Sequence, residues 1–113
     1  MEDWEEDFGW QYLRRKLKDQ FKRDTLPDMN AILFLIGIQE LGRIQAVFSK
    51  EEKQDLMHIA ICKLLSSDGH YQFKGRDEDG WPQWETTKLV KAQGVKDQQQ
   101  LLRTKIIEYF KNN

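Results

Sequence analysis

Ala31-Ile32-Leu33-Phe34-Leu35-Ile36-Gly37-Ile38 is a run of eight residues without a charged or polar side chain. A run that is apolar on every side belongs inside a protein, as a buried helix or a buried strand. Its surroundings favour the helix. Pro27 stands just before it and Gly42 just after it. Proline fits a first helical turn and glycine a helix end, and the span between them exceeds the ~5–6 residues of an ordinary strand. The spacing therefore predicts a helix from about Leu26 to Leu41, with Thr25 as its N-cap, Pro27 in its first turn and Asp28 near the third position. Gly37 would let a neighbouring helix approach closely. Other helices should enclose this one, which makes the chain a bundle.

Before this helix, Trp10, Leu13, Leu17 and Phe21 recur at spacings of three, four and four, the mark of an amphipathic helix over about Trp4 to Arg23. Asp3 is its expected cap, with Glu6 three residues later. Its acids (Glu5, Glu6, Asp7) lie near the start and its bases (Arg14, Arg15, Lys16, Lys18, Lys22, Arg23) in the second half, each placement suiting the helix dipole. After a connector over Gly42 to Phe48, Ser49-Lys50-Glu51-Glu52 reads as a capping box, with Ser49 at the cap and Glu52 at the third position. The helix it opens runs to about Leu65 on a stripe of Leu56, Met57, Ala60, Ile61, Leu64 and Leu65, and Ser66-Ser67-Asp68-Gly69 ends it. His70 to Lys74 alternates as an extended arm would, Gly75 to Gly80 is turn-like, and Pro82 holds Trp81 extended. A short helix is expected over Thr86 to Gln93, ended by Gly94. A last helix, over about Gln98 to Lys111, has Asp97 as its cap and Leu102, Ile106, Tyr109 and Phe110 as its stripe.

The expected fold class is all-α: an irregular or orthogonal bundle of four main helices, one domain over residues 1–113, with an extended aromatic segment at about 70–85 along one side and room there for a minor β element. Composition fits a folded globule. Of 113 residues 39% are hydrophobic, 33% are charged and thirteen are aromatic, which is not the profile of a disordered chain. The net charge of −1 lacks the basic excess of a nucleic-acid coat. A single cysteine, Cys62, excludes an intrachain disulfide and suits a reducing compartment. The acidic start carries no secretory signature, and no apolar run approaches the ~20 residues of a bilayer span. A cytoplasmic location without membrane association is the expectation.

The run Gly75-Arg76-Asp77-Glu78-Asp79-Gly80-Trp81-Pro82-Gln83-Trp84-Glu85, with Met29 to Gly37, resembles a family of small bacterial proteins of unknown function. The likeness covers most of the chain. It implies a bacterial, cytoplasmic origin and attaches no activity, cofactor or site.

Two groups of residues stand out as candidate sites. The first is the aromatic and acidic segment. Tyr71, Phe73, Trp81 and Trp84 crowd together with Asp77 and Asp79 among them, as at surfaces that bind a protein partner. The same aromatics could instead turn inward and pin the segment to the helices. The second group is polar. Glu51, Asp55, His58 and Cys62, spaced four, three and four apart, share one helix face. Asp55, His58 and Cys62, with His70, are weak candidate metal ligands, since a site needs about four ligands and no second acid-x-x-His motif exists. The competing reading pairs Asp55 with His58 at a solvated edge and puts Cys62 in the core. Asp77-Glu78-Asp79-Gly80 is no calcium loop: with Gly80 sixth, the first and twelfth positions are Gly75 and Thr86, which lack the required carboxylates. No nucleophile elbow or phosphate loop occurs.

Three functions follow. The favoured one is a non-enzymatic protein–protein interaction module, binding another protein or itself through Tyr71, Phe73, Asp77, Asp79, Trp81 and Trp84. The alternatives are a nucleic-acid-associated accessory using Arg14, Arg15, Lys18 and Lys22, which the helix dipole and nearby acids already complement, and a small metal-dependent enzyme around Asp55, His58 and His70. No cofactor is expected.

Overall fold

The computed structural model describes residues 3–42, 47–88 and 94–111, with side chains from residue 8 onward and, in the last helix, from residue 98. In chain order the elements are α1 (Asp3–Gln20), α2 (Met29–Leu41), α3 (Lys50–Ser66), β1 (Tyr71–Arg76), β2 (Pro82–Thr86) and α4 (Gly94–Lys111). The chain is mostly helical, but a two-stranded antiparallel sheet corrects the all-α expectation. The elements form two compact units: α1 with α4 and the loop to Met29, and the described residues from Asn30 to Lys88.

In the first unit α1 and α4 are in contact. Trp10, Leu13 and Leu17 are buried on α1, and Ile106 and Tyr109 on α4. The Arg103 guanidinium lies 5.6 Å from the centre of the Trp10 ring, within the range of a cation–π attraction. The helix α1 stops at Gln20, short of Arg23, and Phe21 is exposed instead of completing the apolar stripe. The cause is the turn itself. Lys22 takes a left-handed backbone (φ 52°), Arg23 N–H donates to Lys18 O (2.9 Å) and Lys22 N–H to Asp19 O (3.3 Å), the Schellman pattern that closes a helix. The side chains of Asp3, Glu5, Glu6 and Asp7, and so the expected cap of α1, lie outside the described residues.

In the second unit residues 31–38 are helical, as expected. The helix starts at Met29, however, so its cap position is Asp28, Thr25 is three residues too early to cap it and Pro27 precedes it. Arg14 Nε donates to the Pro27 carbonyl at 2.7 Å, so that oxygen is held outside a helical ladder. On α2, Ile32, Leu33, Ile36, Gly37 and Leu41 are buried. Gly37 meets α3: a Cβ there would lie 2.6 Å from the Leu56 carbonyl carbon and 2.8 Å from its Cβ, too close for any side chain. The capping box of α3 is complete, with Glu52 N–H donating to Ser49 Oγ (3.1 Å) and Ser49 N–H to Glu52 Oε1 (2.9 Å). Leu56, Ile59, Ala60, Cys62, Leu64 and Leu65 are buried on α3.

The expected short helix over Thr86 to Gln93 is not borne out where it is described. Thr86 is the last residue of β2, and residues 89–93 lie outside the described residues, as do 43–46 of the Gly42 to Phe48 connector. Gly94 opens α4 instead of ending an earlier helix, and Asp97 lies inside its first turn instead of capping it.

Candidate functional site

The aromatic segment is a hairpin. Tyr71 pairs with Thr86, Gln72 with Glu85 and Phe73 with Trp84; a bulge at Lys74 then shifts the register, so that Gly75 pairs with Gln83 and Arg76 with Pro82. Its base is closed by Thr87, whose N–H donates to His70 O at 2.9 Å and whose hydroxyl donates to Gly69 O. Its turn is organised by Asp77. One Asp77 oxygen, Oδ1, accepts from the N–H groups of Asp79 and Trp81, both at 2.9 Å, and Oδ2 accepts from Gln83 Nε2 at 3.3 Å. An aspartate that holds the backbone ahead of it is a standard turn device.

Arg76 fastens the hairpin to α2. Its guanidinium donates to Leu41 O (2.9 Å), Glu40 O (2.9 Å) and Gly80 O (2.7 Å). The last carbonyls of a helix lack intrahelical partners, so this one side chain both caps α2 and fixes the turn. Trp81 packs against the cluster of Leu41, Phe48 and Leu56, together with Phe34 and Ile38. Both strands contact α3.

Between α3 and the hairpin lies a cleft of about 460 Å³ lined by Glu52, Asp55, His58 and Ile59 from the helix and Asp77, Trp81, Pro82, Gln83 and Trp84 from the hairpin. The lining is apolar at Ile59, Pro82 and the two indoles, and anionic at three carboxylates. Of the residues expected to bind a partner, Asp77, Trp81 and Trp84 line this cleft. Tyr71 sits edge-on to the His58 ring at 6.3 Å. Phe73, 49% exposed, lies 5.3 Å from the Trp84 ring. Asp79 is exposed in the turn and lines no part of the cleft. The aromatics thus divide: Phe73 is a surface group, whereas Trp81 and Trp84 are both half-buried, Trp81 against the cluster of Leu41, Phe48 and Leu56 and Trp84 with its Nε1 buried and without a hydrogen-bond partner among the described residues.

Of the candidate metal ligands, Asp55 and His58 line the cleft. The buried Cys62 Sγ is 3.5 Å from His58 Nε2. The Nδ1 of His70 lies 3.4 Å from Lys88 O. Among the described residues no three histidine, cysteine, aspartate or glutamate side chains come together as a metal site. Burial pushes the Cys62 thiol up to about 11, against a weaker pull from its own backbone, so the thiol is protonated and inert at neutral pH. Burial, and then the neighbouring Cys62 charge, raises the Tyr71 phenol above its ordinary value. On α1, Arg14 is committed to Pro27 O and to Gln11 Oε1 (3.1 Å), leaving Arg15 and Lys22 as the exposed members of the basic group.

Glu52, Ile59, Pro82 and Gln83 also line the cleft, although no sequence pattern marks them as site residues. Glu52 was visible only as half of a capping box, and the others carry no signal until the register of the hairpin is known. No helix among the described residues is long and apolar enough to cross a membrane. Compared with known proteins, the chain matches no family model, no curated protein and no solved structure.

Proposed function

We propose that this chain is a non-enzymatic binding module that engages a protein partner, or a second copy of itself, through the cleft between α3 and the hairpin. The observation that carries this reading is the composition of the cleft: two indoles, a proline and an isoleucine meet three carboxylates in one concave site, with Phe73 exposed beside Trp84. Aromatic anchors ringed by polar groups supply most of the energy at protein interfaces. Cys62, whose Sγ lies 3.5 Å from His58 Nε2, is buried and protonated.

The test replaces Phe73 by the photo-crosslinking residue p-benzoylphenylalanine in cells, with the same residue at Gln72 as the control. Gln72 is exposed on the opposite face of β1. A discrete crosslinked product at 73 and not at 72, identified by mass as a partner or as a dimer of the chain, supports the module. No product, or equal products at both positions, contradicts it.

A further inference from the structure

We infer that the occupant of the cleft is the lysine or arginine side chain of a basic segment of a partner protein. This rests on the module reading above and names the chemistry that the cleft selects.

Charge is the first ground. Glu52, Asp55 and Asp77 line the cleft, and among the described residues no lysine or arginine does. The hairpin does carry cations, but they are held elsewhere: Arg76 on the carbonyls of Glu40, Leu41 and Gly80, and Lys74 on Glu85 at 3.1 Å. An anionic segment would meet unopposed carboxylates there, whereas a cation would meet complementary ones. Preorganisation is the second. Backbone N–H groups of Ser49, Asp79 and Trp81 hold two of the carboxylates, Glu52 and Asp77, in place, so little ordering remains to be done when a cation arrives. Shape is the third. Ile59, Trp81, Pro82 and Trp84 offer apolar surface beside the acids. Lysine and arginine carry an alkyl stem that covers such surface while the charged end reaches a carboxylate, and indole rings attract cations. A volume of about 460 Å³ is that of a side-chain or small-ligand pocket, too small for a docked helix.

The experiment titrates the full chain, labelled with ¹⁵N, with acetyl-hexalysine amide, acetyl-hexaglutamate amide and spermidine in parallel. The lysine peptide is expected to give saturable shifts of the Trp81 and Trp84 indole N–H signals and of the Asp55 and His58 amides, with none from the glutamate peptide. Asp55 is exposed, so Asp55→Asn should leave the rest of the spectrum unchanged and weaken the lysine peptide by about tenfold or more. Three results would overturn the inference: no saturable shift in the cleft, equal affinity in Asp55→Asn, or spermidine binding as tightly as the peptide, which would make the ligand a free polyamine. Crosslinks at position 73 with no response to hexalysine would end this inference and leave the module standing; a response to hexalysine without crosslinks would end the module reading and, with it, a partner protein as the source of the cation.

Discussion

The helices α1 and α3 end in the same backbone pattern and differ in the residue at its crux. At the end of α3, His70 N–H reaches back to Leu65 O and Gly69 N–H to Ser66 O, with Gly69 left-handed at φ 82°. At the end of α1 the equivalent left-handed residue is Lys22, at φ 52°. Glycine takes that conformation without penalty, while a lysine pays about 1 kcal/mol through its Cβ. The contrast extends to the units that hold the two helices. The unit from Asn30 to Lys88 is fixed by specific backbone and polar devices: a capping box, a close crossing at Gly37, an aspartate-held turn and an arginine that ties strand to helix. The α1–α4 unit is held by side-chain packing between helices from opposite ends of the sequence. The second kind of order is harder to read and easier to improve.

If that contrast is right, the largest effect belongs to Gly37→Ala. The added methyl would meet backbone atoms of Leu56, which cannot swing aside, and overpacking of this kind costs about 3 kcal/mol or more. Denaturant unfolding should show that loss, and an unchanged midpoint would mean that α2 and α3 do not meet at Gly37.

Next comes a pH effect at the buried cysteine. The thiol titrates at about 11 in the fold and 9.0 when exposed, so the folded state keeps its proton longer. That contribution is fully present below pH 9 and is lost as pH rises towards 11, by roughly 2 kcal/mol. Cys62→Ala should flatten this part of the stability profile relative to the parent; parallel profiles would place the thiol in water.

Arg76→Lys should be smaller, about 1–2 kcal/mol, because an ammonium cannot serve three carbonyls set around a planar guanidinium. Amide exchange at the end of α2 should rise with it. If the lysine variant protects those amides as well as the parent does, the three-carbonyl tie is not what holds the hairpin.

The smallest effect has the opposite sign. Lys22→Gly should stabilise the α1–α4 unit by about 0.5–1 kcal/mol, read as a raised melting temperature. A fall would show that Lys22 is not left-handed.

These differences also explain what the sequence disclosed. Ser49 and Glu52 are three residues apart and act on each other, so their box was readable in full. Gly37 inside an apolar helix pointed to a close approach, and α3 supplies it. The start of α2 was misplaced because the Pro27 carbonyl is taken by Arg14, a partner thirteen residues away that no local rule contains. The strands of the hairpin were half visible in the alternation of residues 70–74, but the bulge at Lys74 and the five-residue turn on Asp77 decide which aromatics face α3. Trp81 and Trp84 therefore look equivalent in sequence and both line the cleft, and only tertiary contact shows that Trp81 also packs against the cluster of Leu41, Phe48 and Leu56.

The hairpin lies against α3 and forms the cleft with it. A ¹³C-edited NOESY spectrum measures this directly. Cross-peaks from the Trp81 indole to the Leu56 methyls, and from the His58 ring to the Tyr71 ring, are the result expected. A Trp81 indole that contacts neither Leu56 nor Phe48, with His58 and Tyr71 silent to each other, would contradict it.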